Sequence, residues 1–152
     1  MHPLSHYLKS LKLKKQTRIL SLFIFCLLIG CRGYDNPGFP KVPVNFTIYP
    51  NEVTYLNLIY PGGHEYLRGG ISGIVVFNID GWSFSAFDRA CPQDWDDPDS
   101  WLWVEEDGIT VKCQKCGSLF NILDGSVIIG PSKYPMKQYY TKYDGWKLRI
   151  HS

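Results

Sequence analysis

Short segments of alternating or β-branched apolar residues recur along most of this chain, and glycine-containing turns separate them. No segment shows the sustained 3.6-residue period and the caps of an amphipathic helix. Asp124-Gly125 and Asp144-Gly145 stand between alternating segments and are predicted to be hairpin turns. Many short strands at close spacing predict an all-β fold, an antiparallel sandwich or barrel. The predicted strands are Val44–Ile48, Tyr55–Tyr60, Ile74–Phe77, Phe84–Phe87, Ile109–Val111, Leu119–Leu123, Val127–Ile129, Gln138–Thr141 and Trp146–Ile150.

The first thirty residues have the composition of an export signal rather than of a folded domain. Five basic residues and no acidic one precede an almost wholly apolar run over 19–29. That run has about the length of a signal core and is shorter than a membrane span. It ends on Gly30-Cys31, which resembles the lipobox of bacterial lipoproteins, although an uncleaved membrane anchor is the alternative. The resemblance implies a diacylglycerol on Cys31, a membrane partner through that lipid, and a place in the bacterial cell envelope outside the cytoplasm.

Removal of a signal over 1–30 reverses the charge of the chain. The full sequence has 16 basic and 14 acidic residues, and because five of the basic residues precede Cys31, the mature part has 11 against 14, a net charge of −3. This balance gives no indication of nucleic-acid binding. Residues 31–43 are rich in glycine and proline and are predicted to form a tether. Residues 44–152 are predicted to form one domain.

Two cysteine-containing loops carry the most specific pattern in this domain. One is Ala-Cys-Pro-Gln at 90–93, and the other begins with Cys-Gln-Lys-Cys-Gly-Ser at 113–118. The two loops resemble the Cys-x-His and Cys-x-x-His loops that hold a [2Fe–2S] centre in the Rieske iron–sulfur family. The resemblance covers residues 88–150 and implies a Rieske-like sandwich or barrel with a small two-loop subdomain. The scaffold residues that match are Gly117, Phe120, Gly125, Gly130, Pro131 and Pro135. The implied cofactor-binding positions are Cys91, Gln93, Cys113 and Cys116.

Both histidine positions of the family pattern are changed in this sequence. Gln93 stands at the first and Cys116 at the second, whereas a Rieske centre holds one iron with two thiolates and the other with two imidazoles. The remaining histidines of the mature part, His64 and His151, do not have the required spacing. An ordinary Rieske cluster is therefore not expected.

Three interpretations of the cysteines stay open. The first is a modified [2Fe–2S] cluster on Cys91, Cys113, Cys116 and one oxygen or nitrogen donor. The second is a zinc or mononuclear iron site on the same thiolates, with Asp94 or water as the fourth ligand. The third, favoured for an oxidising compartment, has no metal. The family resemblance implies that the first cysteines of the two loops lie close together, so a Cys91–Cys113 disulfide would then tie the loops.

The favoured function is a non-catalytic binding or structural lipoprotein that has kept the Rieske-like scaffold. The alternative is an electron-transfer protein carrying a modified cluster or a metal at the three cysteines. The sequence contains no Ser-His-Asp set, paired carboxylates or phosphate loop of the kind that indicates an enzyme. If the protein is redox-active, it is expected to be an electron carrier. The acidic loop between the cysteines contains Trp95, Trp101 and Trp103 and is the predicted surface for a protein partner.

Overall fold

A computed structural model describes residues 36–152, which form ten strands and one short 3-10 helix. Every strand pair in this range is antiparallel, so the predicted all-β antiparallel fold is confirmed. The strands are β1 (Asn45–Ile48), β2 (His64–Leu67), β3 (Ile74–Asn78), β4 (Phe84–Asp88), β5 (Leu102–Val104), β6 (Thr110–Cys113), β7 (Leu119–Asn121), β8 (Val127–Ile129), β9 (Tyr140–Tyr143) and β10 (Leu148–His151).

The strands form three sheets, ordered β1-β10-β9, β2-β3-β4 and β5-β6-β7-β8. The two predicted hairpins are present. Asp124-Gly125 lies in the turn between β7 and β8, and Asp144-Gly145 lies in the turn between β9 and β10. The small four-stranded sheet carries one of the cysteine loops, between β6 and β7, and receives the other at the start of β5.

The sheet β2-β3-β4 contributes to a hydrophobic core on each of its faces. Ile74 and Val76 of β3 pack with residues of β1 and β10, whereas Val75 and Phe77 pack with residues of β6 and β7. Because side chains alternate across a strand, a strand that is buried on both faces needs an uninterrupted apolar run. The sequence of β3 has that run, which is why its existence was predictable.

The segment predicted as a strand at Tyr55–Tyr60 is instead a 3-10 helix over Val53–Leu58. It buries only Leu58 and leaves Val53 82% exposed, so its apolar residues do not alternate between a core face and a solvent face. The side-chain amide of Asn78 donates to the carbonyl of Leu58 at 2.8 Å and fixes the helix beside the end of β3. The strands β2 and β5, which the pattern did not predict, lie at the edges of their sheets.

The described part of the predicted tether packs against the domain. The side-chain amide of Asn36 donates to the carbonyl of Pro92 at 2.7 Å. Phe39 is 8% exposed, and the centroid of its ring lies 6.4 Å from that of Trp95. The predicted signal over 1–30 and residues 31–35 of the tether, Cys31 among them, lie outside the described residues. Within 36–152, no helix has the length and hydropathy needed to span a bilayer.

Candidate metal centre

Two loops bring the cysteines of the domain together. The first runs from the end of β4 to β5, and Cys91 N–H donates to the carbonyl of Ser100 across its base at 3.1 Å. The second joins β6 to β7, and Cys113 is the last residue of β6. Leu102 pairs with Cys113 in the β5–β6 ladder, so the end of the first loop lies beside the start of the second.

The second loop is a tight turn that depends on a glycine. Cys113 N–H donates to the carbonyl of Ser118 at 2.9 Å, and Gly117 N–H donates to the carbonyl of Cys113 at 3.0 Å. Gly117 has a φ of +75°, a left-handed conformation that costs other residues about 1–2 kcal/mol. The turn folds Cys116 back toward Cys113 and explains why glycine follows the second cysteine of the loop.

The three sulfur atoms form one compact group. The Sγ atoms of Cys91, Cys113 and Cys116 all lie within 4.8 Å of one another, and the Cys91 and Cys116 sulfurs are 3.6 Å apart. All three are free thiols in this structure, and the Cys91–Cys113 disulfide stays a prediction. No histidine, aspartate or glutamate of residues 36–152 joins the group, Asp94 included. The side chain of Gln93 is exposed.

The thiols differ in how readily they lose a proton. Burial raises the pKa of Cys91 and that of Cys113, although backbone hydrogen bonds act in the opposite direction at both. Burial acts on Cys116 too, but hydrogen bonds from Ser118 and from the other two thiols outweigh it, and the pKa of Cys116 is lowered. Cys116 is therefore the thiol that most readily becomes a thiolate.

The hydroxyl of Ser118 lies within hydrogen-bond distance of the sulfur of Cys116. Its Oγ accepts a hydrogen bond from Ser132 N–H at 2.8 Å and lies 3.1 Å from the sulfur of Cys116. Because a backbone N–H already occupies an acceptor position of the hydroxyl, its own proton is available for the sulfur. Sequence reasoning identified Ser118 only as part of the loop pattern, since its orientation depends on a residue 14 positions away that has no local signature.

The tryptophans of the predicted partner loop lie in different environments. Trp95 is partly buried against Phe39. Trp101 and Trp103 are 42% and 41% exposed, and their rings stack with an interplanar angle of 27°. The guanidinium of buried Arg89, which sequence reasoning overlooked, lies 4.4 Å from the ring centroid of Trp103. The stacked pair leaves aromatic surface exposed, and a protein partner at this surface stays a prediction.

The donor set does not fit a Rieske [2Fe–2S] centre. Such a centre needs two imidazoles on one of its irons. His64 lies in β2 against the ring of Tyr66, and His151 lies in β10 against Tyr140. An all-thiolate cluster needs four cysteines, and residues 36–152 contain three. The site can therefore supply three soft sulfur ligands and no imidazole.

Comparison with known proteins yields similarity in fold only. No family model matches this chain, and no curated protein matches it. The ferredoxin of carbazole 1,9a-dioxygenase from Nocardioides aromaticivorans IC177 is 15% identical, with a TM-score of 0.47 over 72% of this chain and 97% of its own. A small subunit assigned to an NADH-dependent nitrite reductase of Mycobacterium tuberculosis is 17% identical, with a TM-score of 0.44 over 74% and 97%. The ferredoxin of Sphingomonas yanoikuyae B1 is 23% identical, with a TM-score of 0.41 over 61% and 88%.

Proposed function

We propose that this chain is an exported, lipid-anchored protein whose Rieske-like domain is a binding or structural module and not a Rieske electron carrier. The observation that carries the proposal is the donor set at the junction of the two loops. Three thiols lie within 4.8 Å of one another, and no histidine of residues 36–152 joins them. The iron that two imidazoles would hold in a Rieske centre has no ligands of that kind here.

A structural role is supported by the position of the thiols in the core. Cys91 and Cys113 are fully buried and belong to the same hydrophobic cluster as Phe87 and Phe120. Any group that joins Cys91 to Cys113 and Cys116 would cross-link the segment after β4 to the turn between β6 and β7. Such a link constrains the unfolded chain and so stabilises the fold.

Spectroscopy on the full-length protein tests the absence of a Rieske centre. Protein purified anaerobically in detergent from the membrane fraction should be colourless, and after reduction it should give no electron paramagnetic resonance signal of a Rieske cluster, because the imidazole ligands are missing. The alternative, an electron carrier, replaces the proposal if the protein is red-brown and the colour is lost in Cys113→Ser but kept in Gln114→Ala. Gln114 is the matched control, since it lies exposed in the same loop.

The lipid anchor is supported by the sequence before the domain, where a basic segment and an apolar run precede Gly30-Cys31. Cys31→Ser should abolish incorporation of labelled fatty acid and leave an uncleaved precursor, because the thiol is the acyl acceptor. Cys26→Ser, a change within the apolar run, should be labelled and processed like the wild type. Labelling and cleavage that survive in Cys31→Ser would show that the protein is not anchored through this residue.

A further inference from the structure

We infer that Cys91, Cys113 and Cys116 bind a single zinc ion as three thiolates, with solvent as the fourth ligand. The inference assigns a ligand to the binding module proposed above. It rests on the geometry of the three sulfurs and does not depend on the lipid anchor.

The spacing of the sulfurs fits one ion. A zinc–sulfur distance of about 2.3 Å in a tetrahedron separates neighbouring sulfurs by about 3.8 Å, and the sulfurs of Cys91 and Cys116 are 3.6 Å apart. With the other separations at most 4.8 Å, a point equidistant from all three sulfurs lies within about 2.6 Å of each, so shifts of a few tenths of an ångström would complete the bonds.

The same spacing fits the alternatives less well. A disulfide between Cys91 and Cys116 requires sulfurs about 2.05 Å apart, whereas these two sulfurs are 3.6 Å apart. In a two-iron cluster, thiolates on different irons stand on opposite sides of the core, so they do not converge on a common point. Three sulfurs that converge in this way correspond to ligands of one ion.

The surroundings of the sulfurs also suit thiolates bound to a cation. Buried thiolates are unfavourable without a counter-charge, and a divalent ion would supply it to Cys91 and Cys113. Hydrogen bonds to ligating atoms orient them and are typical of metal sites. Ser118 Oγ lies 3.1 Å from the sulfur of Cys116 and can donate a hydrogen bond to it as a thiolate.

The type of ligand indicates which ion the three sulfurs bind, and the exposed side of the sulfur group indicates how that ion is coordinated. Thiolates favour zinc over calcium or magnesium. Within the described range no fourth protein ligand of the histidine, cysteine or carboxylate type joins the three sulfurs, and Cys116 is partly exposed. Three protein ligands and one solvent molecule is a coordination that zinc adopts. The ion would tie the two loops together while keeping one exchangeable position.

The experiment measures metal content and thiol accessibility of full-length protein purified in detergent without chelators. We expect one zinc per chain, and no alkylation of Cys91, Cys113 or Cys116 until a chelator is added. Replacement of zinc by cobalt should produce visible thiolate-to-cobalt absorption. Zinc affinity should fall at least about tenfold in Cys113→Ser and in Cys116→Ser, and should be unchanged in Gln114→Ala.

Two results would overturn the inference in different ways. The protein could be colourless, contain less than about a tenth of an equivalent of metal, and have thiols that added zinc does not protect from alkylation. That result would exclude the zinc ion but leave the proposed function intact. A protein with two irons and inorganic sulfide overturns both. The alkylation measurement uses the wild type alone. It therefore tests for the zinc ion even if circular dichroism shows that a serine variant does not fold.

Discussion

Replacing Phe120 with alanine should lower the free energy of unfolding by about 3–5 kcal/mol. Phe120 is fully buried and pairs with Val111 between β6 and β7. It belongs to the cluster that contains Cys91 and Cys113, so its removal leaves a cavity in the core on which the cysteine loops stand. Chemical denaturation followed by tryptophan fluorescence measures the change.

Ile128→Ala is the matched control for this prediction. Ile128 lies on β8 of the same sheet and is 54% exposed, so its truncation should change stability by less than about 1 kcal/mol. Equal stability of the Phe120→Ala and Ile128→Ala proteins would contradict the packing of the second core described above.

Asp88→Ala should also lower the free energy of unfolding by about 3–5 kcal/mol, but for a different reason. The carboxylate of Asp88 is buried and accepts hydrogen bonds from Ile71 N–H at 2.7 Å, Ala90 N–H at 2.8 Å and Tyr139 O–H at 2.7 Å. Truncation leaves these donors without their acceptor, and each unsatisfied buried donor costs about 1–3 kcal/mol. The bond to Ala90 also fixes the residue that precedes Cys91.

Tyr139→Phe provides the comparison, since it removes only one of these hydrogen bonds. Tyr139→Phe should lower the free energy of unfolding by about 1–2 kcal/mol. Burial, together with the neighbouring Asp88 carboxylate, raises the pKa of Tyr139, so its hydroxyl stays protonated and remains a donor at neutral pH. Urea unfolding of both variants tests the series, and an Asp88→Ala protein no less stable than Tyr139→Phe would show that the carboxylate does not organise these donors.

The fold was predictable where local pattern and burial agree. The Asp-Gly turns at 124–125 and 144–145 mark hairpins, and the apolar run of β3 reflects a strand buried on both faces. The apolar residues of Tyr55–Tyr60 predict a strand, but the chain forms a 3-10 helix over Val53–Leu58 in which only Leu58 is buried. The strand β2 is half-buried along its length, and it therefore lacks the alternation that identifies a strand in a sequence.

The site was predictable through the spacing of its cysteines, and its chemistry was not. The resemblance of the two cysteine loops to the cluster-binding loops of the Rieske family predicts that Cys91, Cys113 and Cys116 lie together. In the structure their sulfur atoms lie within 4.8 Å of one another. The hydrogen bond from Ser132 to Ser118 joins residues that are 14 positions apart in the sequence, so no local sequence pattern predicts it. The same holds for the distances among the sulfurs, on which the proposal of a single ion rests.

X-ray absorption at the zinc edge of the purified full-length protein tests the central claim most directly, namely that the three thiols hold one ion. The predicted result is a zinc ion with three sulfur neighbours at about 2.3 Å and one lighter neighbour at about 2 Å, without a second metal nearby. An iron spectrum with a neighbouring iron, or a metal-free protein in which two of the three cysteines form a disulfide, would contradict it.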